Sequence, residues 1–256
     1  MSLLRSIIFD ILFYSITALL CIALLPCLLL PREAGLNVAR FWTFVTHQLE
    51  KYVLGLDLEI RGLEHLPKEG AYIVAVKHQS AYETLKLHHL FEDPSIVLKK
   101  ELYSIPLWGQ FLKKIDMIAI NRQNREEAMA SIVDGAKRMK EQGRPIVIFP
   151  QGTRVLPEAT TQQKPYKGGI AKMYENTDLP VIPMALNTGL FWRRNAFIKT
   201  PGKVIFEFLP PIPSGKERST FMSELENVLE DKSIALMIEA QKEYPAVGHI
   251  EIPQRA

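Results

Sequence analysis

Cysteine is nearly absent from this chain. Only Cys21 and Cys27 occur in 256 residues. Both lie in one apolar stretch, and neither has a cysteine or histidine neighbour at metal-ligand spacing, so no disulfide framework is implied and no metal site is visible. That agrees with a main body facing the cytosol. A strong charge of one sign is missing too. Lys and Arg number 31 against 28 Asp and Glu, which leaves +3 at neutral pH. This is too weak to argue for nucleic acid, though it suits an anionic membrane surface or a phosphorylated substrate. The sequence holds no G-x-x-x-x-G-K-[ST] loop and no G-x-S-x-G elbow, which removes the Walker nucleotide site and weakens any serine-hydrolase reading. Internal repeats and low-complexity stretches are also lacking.

What the chain does have is a long apolar start. Between residues 7 and 30 only Asp10 is charged. A helix over that stretch would span roughly 36 Å, enough for a bilayer core of about 30 Å. It is too long for the apolar region of a signal peptide, which is about 7–15 residues. Asp10 is expensive deep in hydrocarbon, and Pro26 would kink the helix near its end. Residues 36–54 mix Phe41, Trp42, Phe44 and Leu49 with Arg40, His47 and Glu50, which reads as an amphipathic helix lying on a surface. Residues 31–35 read as the turn between the two. Residues 1–55 are therefore expected to form a membrane-embedded helical hairpin, the alternative being a single span followed by a core helix, and residues 56–256 a separate α/β domain.

In that domain strands and helices alternate. Seven apolar runs read as strands: residues 58–61, 71–76, 95–98, 116–120, 145–149, 181–186 and 203–208. Helices are expected over 81–91, 124–142, 167–175 and 219–243. This alternation argues for an α/β fold, a single sheet flanked by helices. Residues 160–164 read as a loop or flap, and residues 210–215 as a turn before the last helix.

The chemistry concentrates where strands end. Lys77-His78-Gln79-Ser80-Ala81-Tyr82-Glu83 follows the second strand. An imidazole followed by a carboxylate offers a proton acceptor and a group to orient it. In one continuous helix the two would point roughly 140° apart. They meet only if His78 lies in a loop and Glu83 in the first turn of the next helix. Ser80-Ala81-Tyr82-Glu83 also matches the S-x-x-E capping box, so Glu83 has a purely structural reading as well. Phe149-Pro150-Gln151-Gly152-Thr153-Arg154 follows another strand. There Gly152 allows close backbone approach, Thr153 offers a hydroxyl and Arg154 a fork suited to phosphate. Arg122 and Lys100 also follow strands, and Lys167-Gly168-Gly169 opens a helix whose N–H groups suit an anion. Each basic residue alone reads as a surface charge; four at strand ends and helix starts point to a shared anion pocket.

These blocks, in this order, resemble the glycerolipid acyltransferase family. Its His-x4-Asp block corresponds to His78 through Glu83, its second block ends at Arg122, its Phe-Pro-Glu-Gly-Thr-Arg block is residues 149–154, and its apolar strand with proline is residues 181–185. The segment from Glu101 to Gly109 is similar as well, and the match runs from roughly residue 56 to 189. The chain departs from the pattern at Glu83 (usually Asp), Lys77 (usually Asn) and Gln151 (usually Glu).

The resemblance implies a membrane-bound O-acyltransferase. It would move a fatty acyl group from a thioester donor, acyl-CoA or acyl-acyl carrier protein, to the free hydroxyl of 1-acyl-glycerol-3-phosphate, giving phosphatidic acid. His78 and Glu83 would be catalytic, with backbone N–H groups near Gly152 steadying the oxyanion. Lys100, Arg122, Gln151, Gly152, Thr153, Arg154 and Lys167 would bind substrate. No cofactor and no metal are expected. The partners expected are the bilayer and a lysophospholipid acceptor, not nucleic acid, with the catalytic domain on the cytoplasmic face of a bacterial inner membrane. The rival readings are another lysolipid acceptor, such as a lyso-aminolipid, and a thioester or lipid hydrolase.

Overall fold

Short β-branched runs cut by glycine, proline and capping residues favour alternating strands and helices. The computed structural model describes residues 1–252. Two helices come first, α1 (Ser2–Ala23) and α2 (Arg32–Leu49). The body follows as β1 (Leu56–Arg61), β2 (Ile73–Val76), α3 (Leu87–Leu90), β3 (Ser95–Lys99), α4 (Trp108–Lys114), β4 (Ile118–Ile120), α5 (Arg125–Glu141), β5 (Ile146–Ile148), α6 (Gly168–Thr177), β6 (Val181–Leu186), α7 (Thr188–Phe191), β7 (Gly202–Phe208) and α8 (Arg218–Glu243). All seven expected strands are present.

The strands form one sheet in the order β1-β7-β6-β2-β5-β3-β4. The block from β6 to β4 is parallel, with Val74 opposite both Val147 and Ile182. β7 is antiparallel to β6 and parallel to β1. The carboxyl ends of β2, β3, β4, β5 and β6 therefore emerge along one edge, where α/β sheets place their ligands.

Alternating residues supply two cores. Val74, Val76, Val147, Ile182 and Met184 face a cluster that includes Tyr82, Phe206 and Phe9 of α1. Ile73, Ala75, Ile146 and Ile148 face Ile132 and Met139 of α5 and Ile170 of α6. On α5 the residues at helical spacing, Ala128, Ile132, Ala136 and Met139, form the buried face.

The N-terminal helices share the first of these cores. Phe9 is fully buried, which contributes about 2–3 kcal/mol. Asp10 pairs with Lys199 of the body at 2.5 Å, and Ser6 Oγ accepts from the Lys199 N–H at 2.9 Å. The Asp10 charge is thus matched by protein. Arg32 makes a bidentate pair with Asp93 at 2.9 and 2.6 Å, and the buried Glu50 and Lys86 pair with each other. Helix α1 ends at Ala23, and Pro26 sits in a 3-10 segment, Leu25–Leu29, as expected where a backbone donor is lost. The expected turn at 31–35 is shorter than the sequence suggested: Arg32 already begins α2, with Glu33 in its first turn. Gly35 serves packing instead of a turn. A Cβ there would lie 3.0 Å from Lys114 Cδ on α4.

Three further elements differ from expectation. Residues 81–91 form a 3-10 turn, Tyr82–Lys86, followed by the single helical turn of α3. The Ser80 and Glu83 side chains bind backbone N–H groups at its start, which tightens the chain there. Helices α4 and α7 were not anticipated. The former has seven residues and follows Pro106 closely, too short for helical periodicity to register.

His88 on α3 makes stability depend on pH. Both ring nitrogens are buried without a protein partner, and burial pushes the imidazole down to about 4. An unfolded histidine titrates near 6.5. Between about 6.5 and 4 the unfolded chain binds a proton that the folded chain refuses, so stability falls as pH drops through that window. Thermal melts should show a lower Tm at pH 5 than at pH 7, and His88→Gln should flatten that slope. An unchanged slope would contradict this assignment.

Candidate active site

His78 lies in the loop just past β2, and Glu83 in the 3-10 turn that follows. His78 Nδ1 is 2.7 Å from Glu83 Oε1. The same oxygen accepts the backbone N–H groups of Gln79 and Ser80, each at 2.7 Å. Tyr82 N–H donates to Ser80 Oγ at 3.2 Å. Both readings of this segment hold at once: the capping interaction places Glu83, and so placed it meets the histidine. Glu83 is fully buried, whereas the His78 side chain is 15% exposed. An oxygen already accepting two N–H groups is an acceptor for the ring too, so Nδ1 carries the proton. The lone pair of Nε2 is then left for an incoming group.

The imidazole is supported from the side. Phe149 stacks on it, with ring centroids 4.0 Å apart at 26°. The His78 carbonyl accepts from Val155 N–H at 2.8 Å. Gln79 Oε1 accepts from Gly189 N–H at 3.0 Å, which ties the loop to α7, just past β6. Phe149 was missed as a site residue. The signal was available, since it directly follows β5, the parallel neighbour of β2.

The turn after β5 forms the next part of the rim. Gly152 has φ 66°, a left-handed conformation that favours glycine. Its carbonyl accepts from Arg122 Nη1, and Lys167 packs nearby, with its Cγ 3.6 Å from where a Gly152 Cβ would stand. Lys167 N–H donates to Pro150 O at 2.8 Å, fixing the start of α6 against this turn. Arg194, which the sequence did not single out, donates to the Arg154 carbonyl at 2.7 Å. Among the described residues the Arg154 guanidinium and the Lys167 ammonium make no hydrogen bond or ion pair, so both charges remain open to an anion. Thr153 is half-buried beside them.

Two expectations for this rim need correction. Lys100 is not a free cation: its 63% exposed side chain brings the ammonium within 3.3 Å of Glu127, which also accepts from Asn121 at 2.9 Å. Gln151 is buried and turned away, donating from Nε2 to the Lys164 carbonyl at 3.1 Å. An ionised glutamate could not make that bond, because a carboxylate has no donor. It holds the 160–164 segment, which is a closed turn with Lys164 N–H on Thr160 O at 3.0 Å. The Gly152 N–H itself is taken up by Phe149 O at 2.8 Å. Neighbouring N–H groups, such as that of Thr153, are what this turn can still offer to an anion.

Among the described residues no cluster of histidine, cysteine and carboxylates could hold a metal ion. The arrangement is an imidazole backed by a carboxylate, with basic residues on the same edge, where α/β sheets place their ligands.

The chain belongs to the acyltransferase family: the family model described as Acyltransferase matches residues 57–187. Among its relatives, a 1-acyl-sn-glycerol-3-phosphate acyltransferase of Pseudomonas aeruginosa is 31% identical over 214 residues, covering 84% of this chain and 82% of that protein. A protein of the same name from Saccharomyces cerevisiae is 26% identical over 215 residues, 82% of this chain and 69% of that one. The fold matches the crystal structure of the 1-acyl-sn-glycerophosphate (LPA) acyltransferase PlsC from Thermotoga maritima with a TM-score of 0.73 at 19% identity, over 92% of this chain and 99% of that one.

Proposed function

We propose that this protein transfers a fatty acyl group from a thioester to the free hydroxyl of 1-acyl-glycerol-3-phosphate, yielding phosphatidic acid. The observation that carries the reading is the His78–Glu83 pair at 2.7 Å, with Nε2 open, on the same sheet edge as Arg122, Arg154 and Lys167. In the reaction the acceptor hydroxyl gives its proton to His78 Nε2 as its oxygen attacks the thioester carbonyl. Glu83 stabilises the imidazolium that forms. The tetrahedral intermediate then expels the sulfur, which takes the proton from His78 and leaves as a free thiol. The acceptor supplies the nucleophile, so none is required of the protein. Arg154, Lys167 and Arg122 are assigned to the acceptor phosphate, and the names of the relatives support that acceptor. Acyl-CoA and acyl-acyl carrier protein are both retained as donors.

A bilayer is the natural site of such a reaction. Helix α1 has 22 residues, and its most apolar 18-residue stretch has a mean hydropathy of 2.1, long and apolar enough to cross a membrane. Yet its inner face holds Phe9 and the Asp10–Lys199 pair against the body, while Leu4, Ile8, Ile11 and Leu19 point outward. We assign it to one leaflet, as half of a hairpin that lies in the membrane without crossing, with the body on the cytoplasmic side. Replacing Ile8 and Ile11 by glutamine should then release much of the protein from vesicles without unfolding it. Undiminished vesicle binding would contradict the assignment.

The acceptor pocket is tested by Arg154→Ala. The KM for 1-acyl-glycerol-3-phosphate should rise roughly tenfold to a hundredfold, as expected when a charge-assisted bond of about 1.5–3 kcal/mol is lost. An unchanged KM would displace the proposed pocket. A phosphate-free lysolipid used as well as the phosphorylated one would point to a different acceptor, and fatty acid released without acceptor would point to hydrolysis.

A further inference from the structure

Lys77 directly precedes His78, yet by strand alternation its side chain falls on the opposite face of the sheet, in phase with Ile73 and Ala75. The side chain is only 3% exposed, and its ammonium lies 2.5 Å from Glu230 Oε1 on α8, itself 8% exposed. The same Glu230 oxygen accepts from the Tyr166 hydroxyl at 2.8 Å. Tyr166 in turn directly precedes Lys167, whose N–H is fixed to Pro150 O at 2.8 Å. One buried carboxylate thus holds two backbone segments. One carries the proton acceptor, and the other carries a cation of the anion rim and the start of α6.

We propose that Glu230 is a positioning residue that sets the distance between the His78 imidazole and the site of the acceptor phosphate, acting through Lys77 on one side and Tyr166 on the other. The proposal rests on the acyltransferase reading above. Its physical basis is the asymmetry of the arrangement. A buried ion pair is a weak source of stability, and in some proteins its role is instead to fix one geometry; here the geometry rests on two donors sharing one Glu230 oxygen. Reaction geometry, in contrast, is sensitive to displacements of an ångström. With Lys77 and Tyr166 on one oxygen, neither segment shifts without disturbing the other.

Tyr166→Phe removes one hydroxyl and leaves the Lys77–Glu230 pair in place. The KM for 1-acyl-glycerol-3-phosphate should rise roughly tenfold, with kcat within about twofold of wild type and the melting curve nearly unchanged. Activity toward a monoacylglycerol, which lacks the phosphate, should not move. The double replacement Lys77→Met with Glu230→Leu keeps the site packed and removes both buried charges. It should fold, raise the same KM and also lower kcat, since the strand end beside His78 loses its tether. If Tyr166→Phe leaves KM at the wild-type value while Arg154→Ala raises it, the positioning role is overturned and the phosphate pocket stands. If neither changes KM, the pocket itself falls and this role with it. A lowered Tm in the double variant with unchanged kinetics would make the network purely structural and would equally overturn the proposal.

Discussion

Replacing His78 with alanine should lower kcat for acyl transfer by about 10²–10⁴, the range typical of general-base help. Acceptor KM should stay close to wild type, because the cationic groups assigned to the phosphate stand in other segments, after β4 and β5 and at the start of α6. Folding should survive. The His78 side chain is 15% exposed, and after its removal Glu83 still accepts from the Gln79 and Ser80 N–H groups. The principal structural loss is the stack on Phe149. A variant with normal melting and near-normal kcat would remove the imidazole from the chemistry. Loss of binding with unchanged kcat would recast it as a contact residue.

Glu83→Gln should lower kcat roughly 10²-fold, less than the ~10⁴ seen where an acid-to-amide change also flips a histidine tautomer. The reason lies in the two backbone N–H groups at 2.7 Å from Oε1. They select an oxygen at that place, so the amide nitrogen must take the other position and Nδ1 keeps an acceptor. What disappears is the negative charge that favours the imidazolium as it forms. The acceptor KM should change little. A loss confined to KM, or to thermal stability with normal turnover, would leave Glu83 as a capping residue alone. Both measurements therefore separate the two roles that Ser80-Ala81-Tyr82-Glu83 combines.

Much of this site was legible in the sequence because it is local. Spacing alone required His78 in a loop and Glu83 in the following turn, and that is where they are. Strand ends carrying basic residues converge because four of the strands concerned are parallel neighbours. Partners distant in sequence were not legible. Lys100 meets Glu127, and Asp10 meets Lys199; no local pattern announces such pairs. Gln151 looked like a rim residue because its neighbours are, but its amide turns toward the Lys164 carbonyl. Lys77 was read only as a departure from a familiar pattern. Its meaning appears when strand alternation sends it to the far face, where α8 supplies Glu230. The boundary at residue 55 had a similar weakness: hydropathy marks residues 1–55 as membrane-facing, but only packing reveals that Phe9 belongs to the body's core.

The most direct test is a single balance sheet of products from purified protein in vesicles containing 1-acyl-glycerol-3-phosphate, with the thioester donor added last. Free thiol and phosphatidic acid should appear one for one, only when the acceptor is present, and both should collapse together in the His78→Ala variant. Thiol released without acceptor, or phosphatidic acid still formed at the wild-type rate by that variant, would contradict a histidine that deprotonates a lipid alcohol.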